Sequence, residues 1–125
     1  MLKKLFGLSE PKEKKVLPWQ ALTEVSQLDT ITEKSTGKTQ LVFKHSTRCG
    51  ISRMVMNQFE SAYQLDLNAD LYYLDLLNCR EVSNEVGCKF QVMHQSPQLI
   101  VIRNGVVVAH ASHGAVNEVD LEKFL

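Results

Sequence analysis

The sequence has no apolar run approaching the roughly 18 residues that a membrane-spanning helix needs. It has no excess of charge either: 14 Lys and Arg stand against 14 Asp and Glu, for a formal net charge of zero. That balance removes the main electrostatic reason to expect a nucleic-acid partner. Cysteine is scarce and odd in number. The three, Cys49, Cys79 and Cys88, lie 30 and 9 residues apart and make neither a disulfide framework nor a zinc site, so at least one is a free thiol. There is no internal repeat and no low-complexity segment. What is left is 125 residues, 44% hydrophobic and 22% charged, the composition of a single globular domain with one core.

The opening Met1–Leu8 imitates a signal peptide by placing Lys3 and Lys4 among apolar residues, but the apolar stretch stops at Leu8. Ser9-Glu10-Pro11-Lys12-Glu13-Lys14-Lys15 follows, so the stretch is too short for a secretory core. We therefore expect a cytoplasmic protein, whose cysteines stay reduced and are catalytic or inert rather than structural. Residues 1–15 hold five Lys and two Glu and are expected to form a flexible lysine-rich arm ahead of a domain over residues 16–125. Contact of Leu5, Phe6 and Leu8 with a membrane surface or a partner is the alternative.

Beyond the arm the chain alternates in type. Leu22, Val25, Leu28 and Ile31 predict a helix over residues 22–35, closed by a turn at Thr36-Gly37-Lys38. Leu41-Val42-Phe43 reads as a short buried strand. Ile51, Met54, Val55, Phe59, Ala62 and Tyr63 then recur at helical spacing and predict one continuous apolar face, with Met56 projecting elsewhere. Strand character returns at residues 71–74. A short helix over residues 78–87 would turn Val82 and Val86 inward and end near Gly87. Residues 99–103 and 106–110 flank Asn104-Gly105, the preferred pair for a type I′ turn, and predict an antiparallel hairpin. Asn117 is placed to cap a last helix over residues 118–125. The order predicts an α/β fold, a mixed central sheet with helices on both faces.

Cys49 falls just after a strand and directly before the strongest helix, in His45-Ser46-Thr47-Arg48-Cys49-Gly50-Ile51-Ser52. First-turn amides lack intrahelical acceptors, and the helix dipole puts positive potential there. Thiols at such positions ionise more readily than a free cysteine, and the thiolate is the nucleophile of disulfide exchange. Arg48 is placed to add to this. Ser52 stands three residues on, where a dithiol oxidoreductase would carry its second cysteine. It either donates to the thiolate or only fills the first helical turn. With serine there, a mixed disulfide at Cys49 must be resolved by another thiol. Ser96-Pro97 precedes a strand, where thioredoxin-like folds carry a cis-proline whose preceding residue pairs with an extended thiol substrate.

At these residues the chain resembles the monothiol bacilliredoxin (YtxJ-like) family. The matching stretches are Phe43–Ser52, Tyr72-Tyr73-Leu74-Asp75, Ser83-Asn84-Glu85 and His94-Gln95-Ser96-Pro97-Gln98. The resemblance runs along residues 19–125. It implies a thioredoxin-like three-layer sandwich and a monothiol oxidoreductase that frees client proteins from mixed disulfides with bacillithiol. By that resemblance Cys49 is the catalytic nucleophile, Thr47, Arg48, Gly50 and Ser52 surround it, and Ser96 with Pro97 belongs to the substrate groove. Bacillithiol would be a redox co-substrate, with no bound cofactor and no metal. Thiolated client proteins and the small thiol are the expected partners. The family often has proline where Gly50 stands, a departure that bears on redox poise and substrate fit.

Two other readings compete. Cys49-Gly50-Ile51-Ser52 is close to the C-G-F-S of monothiol glutaredoxins, which use glutathione and can share an iron–sulfur cluster. Their T-V-P segment and Gly-Gly motif are missing here, with Ser96-Pro97 and a lone Gly114 in those regions. The other reading is a thioredoxin-fold binding module without turnover. Among the remaining residues, Cys79 opens a helix and is a minor candidate for a second or resolving thiol, whereas Cys88 is expected to be inert packing. His110 and His113 lack partners for a ligand set. His45 and His94 flank the two motif segments, as groove residues or as satisfied structural histidines.

Overall fold

A computed structural model describes residues 15–125. The lysine-rich arm expected over residues 1–15 lies outside the described residues, apart from Lys15. The elements run β1 (Trp19–Ala21), α1 (Gln27–Lys34), β2 (Thr39–His45), α2 (Gly50–Ala62), β3 (Ala69–Asp75), α3 (Arg80–Phe90), β4 (Gln98–Arg103) and β5 (Val106–Ser112). Two 3-10 segments, His113–Glu118 and Leu121–Phe124, follow.

The strands form one sheet in the order β1-β3-β2-β4-β5. β1, β3 and β2 run parallel, while β4 is antiparallel to β2 and β5 to β4. β2 is central and buried along all seven residues. Its near-continuous apolar run follows from being covered on both faces. The pleat sends Leu41 and Phe43 to a cluster with Val55, Met56 and Phe59 of α2, and Val42 to a second cluster with α1 and α3. The expected three-layer α/β sandwich is the observed one. The C-terminal ends of β2 and β3 and the start of β4 meet at one edge, with Lys44 opposite Gln98 and His45 opposite Asp75.

Five sequence expectations change. β1 was not foreseen: Trp19, Gln20 and Ala21 are too few for a period to show, and they become a strand by pairing with Leu71, Tyr72 and Tyr73. Trp19 is fixed there by its indole, which donates to Glu60 Oε2 at 2.9 Å, and by the rings of Phe43, Phe59 and Tyr73 around it. The first helix starts at Gln27 rather than at residue 22. The Gln27 side chain accepts from the Thr23 and Glu24 amides and donates to the Ala21 carbonyl, holding the preceding turn open. The inward face of α2 is Ser52, Val55, Met56 and Phe59. Ile51 and Met54, expected inside, are 56% and 53% exposed, Ala62 is exposed as well, and Met56, expected outside, is buried. The helix is rotated because Ser52 takes the inward slot at its start, satisfied by hydrogen bonds that hydropathy counting does not see.

The fourth change is at the C-terminus. No α-helix follows Asn117. Its amide instead donates to Gln58 Oε1 at 3.1 Å and to the Val55 carbonyl at 3.4 Å, tying the first 3-10 segment to α2 beside buried Val116. A stretch of eight residues is marginal as an isolated helix, so tertiary contacts decide its form. Helix α3 also runs on past Gly87 to Phe90, since Phe90 continues the buried row of Val82 and Val86. The chain turns back at left-handed Gln91, whose amide and that of Val92 both reach the Gly87 carbonyl. A Cβ on residue 87 would lie 3.2 Å from the Val92 carbonyl oxygen, which accounts for glycine there.

The predicted hairpin is present, with Asn104 and Gly105 at φ 53° and 78°, the left-handed pair that a type I′ turn requires. Buried Ser35, just after α1, holds its tip. The Ser35 hydroxyl donates to the Thr32 carbonyl and accepts from the Gly105 amide at 2.8 Å, while its carbonyl accepts from the Asn104 amide. Ser35→Ala removes the acceptor for Gly105 and is expected to destabilise the domain by about 1–3 kcal/mol, read as a lower urea midpoint with an unchanged slope.

Candidate functional site

The sheet edge that gathers the ends of β2 and β3 and the start of β4 also gathers the turns that leave it. Cys49 is the N-cap of α2, in extended conformation at φ −106° and ψ 122°, and its thiol is half-buried. The turn is closed by its amide donating to the Ser46 carbonyl at 3.2 Å, and the helix begins as its carbonyl accepts from Arg53 at 3.1 Å. The Cys49 side chain makes no cap hydrogen bond, and no acidic residue stands in the first turn of α2. A sulfur at this point therefore faces unpaired amides and the positive end of a 13-residue helix, with no carboxylate in that turn to oppose an anion. Thr47, Arg48 and Gly50 are exposed around it. So are Ile51 and Met54, the two residues displaced from the core, which place an apolar margin on the thiol side of α2.

Ser52 is different from its neighbours. It is fully buried, and its hydroxyl accepts from the Ser46 amide at 3.1 Å and lies 2.7 Å from His45 Nδ1. Of the two roles open to Ser52, the structure assigns the turn: its hydroxyl is taken up beneath the thiol by the end of β2. His45 itself is buried, with its ring 5.7 Å from that of Tyr73. Burial holds its pKa below the ordinary histidine range, helped by the Arg53 guanidinium and opposed by the Asp75 and Glu60 carboxylates. A neutral imidazole thus supports the turn.

Across the edge, the Ser96–Pro97 peptide is cis and Pro97 is buried, with its carbonyl accepting from His113 at 3.0 Å. Ser96 Oγ is buried and has no hydrogen-bond partner among the described residues. The loop before it is held by buried Gln98, whose amide donates to the Met93 carbonyl at 3.0 Å and accepts from the Gln95 amide at 3.4 Å.

Lys44 is the residue that sequence reasoning missed. It is fully buried on β2, and its ammonium donates to the Ser83 carbonyl at 3.2 Å and lies 3.2 Å from His94 Nδ1. Burial pushes its pKa down to about 8. The signal was available: a lysine directly after Leu41-Val42-Phe43, on a strand otherwise reading as core. The other thiols stand apart from this arrangement. Cys79 is the N-cap of α3 and packs partly against the core, while Cys88 is exposed, which corrects its reading as a packing residue. A groove of about 180 Å3, lined by Phe59, Tyr63, Leu67, Val116 and Leu121, opens at the far end of α2 from Cys49 and is no part of the site. Among the described residues no cluster of three or more His, Cys, Asp or Glu is arranged to hold a metal, and no helix is long and apolar enough to cross a membrane.

A half-buried thiol leading a helix, a cis-proline turn at the same sheet edge and serine at the third position after the thiol define a thioredoxin-fold protein of monothiol type. Comparison with known proteins agrees and goes further. The family model of the monothiol bacilliredoxin BrxC matches residues 20–121, and the chain belongs to that family. By class it is a thiol oxidoreductase. A solved protein to which oxidoreductase activity has been ascribed, itself with a thioredoxin fold, is 30% identical over 85% of this chain and 92% of its own, with a TM-score of 0.72. The thioredoxins of Schistosoma mansoni and Trypanosoma brucei brucei share the fold at 20% and 16% identity. Their TM-scores are both 0.65, over 86% and 94% of this chain and 95% and 94% of theirs.

Two measurements test this arrangement. Ser52→Ala leaves the Ser46 amide and the buried His45 ring without their partner and is expected to lower stability by about 1–3 kcal/mol in urea titration. For Lys44, the unfolded chain keeps its proton up to about pH 10.5 and the folded chain only to about 8. Stability from this group therefore rises as pH goes from about 8 to about 10.5. The difference between wild-type and Lys44→Met stability, followed by thermal melting across that window, should shrink with pH, with the variant the more stable at pH 7.

Proposed function

We propose that this protein is a monothiol thiol–disulfide oxidoreductase that removes bacillithiol, or a similar low-molecular-weight thiol, from protein mixed disulfides. The observation that carries the reading is the pairing of Cys49 at the start of α2 with Ser52 in place of a second thiol, its hydroxyl engaged by His45 and Ser46. The Cys49 thiolate would attack the small-thiol sulfur of a thiolated client. The S–S bond between client and small thiol breaks, the client thiolate leaves and takes a proton from water, and Cys49 is left disulfide-bonded to the small thiol. No neighbouring thiol stands three residues on to close an internal disulfide. A second small thiol, as thiolate, would then attack the adduct, forming the small-thiol disulfide and returning Cys49 to its thiolate.

Each site residue has a role in this reading. Thr47, Arg48 and Gly50 border the thiol where the adduct lies, Ser52 fixes the turn, and Ser96 with Pro97 lines the groove for the client strand. The small thiol is a co-substrate rather than a bound cofactor, and the reaction suits the reducing thiol pool of a cytoplasm. In-line placement of three sulfurs is the main demand, so no general acid or base is required at Cys49.

The test uses Cys79→Ser/Cys88→Ser protein, because Cys88 is exposed. Brief exposure to bacillithiol disulfide or glutathione disulfide should add one small thiol by intact mass, faster for bacillithiol, and none once Cys49→Ser is introduced. The adduct should be lost on adding the free small thiol. A folded protein that takes no adduct from either disulfide, while its unfolded form does, overturns the reading in favour of a non-catalytic binding module. An iron–sulfur absorption band in anaerobically purified protein would overturn it in favour of the glutaredoxin-like reading.

A further inference from the structure

Buried Lys44 and exposed His94 make an arrangement that the exchange reaction above does not use. A lysine ammonium carries three donors and no acceptor. That of Lys44 is fully enclosed, with the Ser83 carbonyl and His94 Nδ1 as its hydrogen-bond partners. The ion pairs among the described residues join Lys38 to Asp70 and Lys89 to Asp29, so no carboxylate there neutralises it. A buried cation without an anion is expensive to keep.

The contact also settles the protonation of His94. Because the ammonium only donates, Nδ1 must accept, and the ring proton sits on Nε2. A second proton would set two cations 3.2 Å apart. Burial, then Lys44 and Arg80, hold the His94 pKa below its ordinary value, so the ring stays neutral. Histidine is commonly oriented by a carboxylate that makes it more basic. Here the polarity is reversed: a cation behind Nδ1 draws electrons from the ring and makes Nε2–H a stronger donor. His94 is an exposed residue, so the ring can be reached from solvent.

The fold places this donor beside the thiol's edge. His94 lies on the loop that ends in the cis Ser96–Pro97 peptide, and Gln98, which follows, pairs with Lys44 in register. Cys49 leads α2 on one face of the sheet, whereas Lys44 reaches toward Ser83 of α3 on the other. The pair thus serves a group some distance from the reacting sulfurs rather than the sulfurs themselves. We infer that His94, backed by the Lys44 ammonium, is a specificity-determining hydrogen-bond donor for a carboxylate carried by the mixed disulfide that Cys49 attacks. This rests on the reading of Cys49 given above. The carboxylate has two sources, the small thiol itself or an acidic side chain of the client.

The experiment measures exchange at Cys49 in the Cys79→Ser/Cys88→Ser protein with two disulfides whose carboxyl groups lie several bonds from the sulfur, glutathione disulfide and its tetraethyl ester. Each rate is normalised to that of an unstructured cysteine peptide, and the readout is the ratio of the two. A charge-assisted hydrogen bond predicts a ratio of about ten in favour of the carboxylate. Lys44→Met and His94→Phe should bring it to about one, while His94→Gln, which keeps a donor, retains part of it. A loss of structure alone would slow both disulfides and leave the ratio standing. The client arm uses a peptide capped by mercaptoethanol, with Glu or Gln next to its cysteine. A Lys44-dependent preference in either arm supports the inference and identifies the source; none in both overturns it. Failure of the wild type to exchange with the ester would instead overturn the assignment of Cys49.

Discussion

The pleat of β2 is the constraint on which the rest of the molecule depends. Enclosed by β3 on one side and β4 on the other, and covered on both faces, the strand has no position at which a side chain escapes burial. Two-residue periodicity then decides where each polar group goes. Phe43 and Leu41 must fill the α2 side and Val42 the α1–α3 side. At the strand's end the same alternation aims Lys44 toward Ser83 of α3 and His45 toward Ser52 of α2. A one-residue slip of β2 would exchange them and leave both buried without partners.

From that alternation comes the division of labour at the sheet edge. The turn bearing Cys49 hangs between a strand that cannot shift and a helix whose inward row is fixed by Val55, Met56 and Phe59. Ser52 joins the two, and its hydroxyl does so at the position where a sulfur would confer an internal resolving step. What makes the site monothiol is thus not a missing residue but a present one, integrated into the polar support of its own turn. On the opposite side of the edge, Gln98 gives comparable support to the loop carrying His94, Ser96 and Pro97. The two halves are held by separate local hydrogen bonds.

Much of this was legible in the residues. The order of elements, the type I′ turn at Asn104-Gly105 and the placement of Cys49 at a helix start all follow from local chemistry, and local chemistry survives folding. The failures share a cause. β1, the rotation of α2 and the 3-10 form of the C-terminus are set by contacts between different elements, two of them far apart in the chain, Trp19 with Leu71 and Asn117 with Gln58, and one only seven residues apart, Ser52 with His45. At α2 the miss is instructive, because two of the three apolar residues wrongly put inside, Ile51 and Met54, lie in the first turns of the helix that Cys49 caps. Lys44 was hidden differently. A lysine is read as surface by default, and its burial becomes evident only when both neighbours of β2 are known.

Gly50 stands where the family often has proline, and the structure describes how little the fold demands there. A Cβ at this position would meet nothing within 4 Å, and the backbone does not need the left-handed conformation that glycine alone tolerates. Volume and geometry therefore impose no choice between the two residues. What separates them is an amide hydrogen at the first position of α2, next to the sulfur, and the wider range of conformations that glycine explores in the unfolded chain. The substitution exchanges conformational restriction for one additional donor at the mouth of the site. A change of residue here alters the backbone beside the thiol without repacking anything behind it.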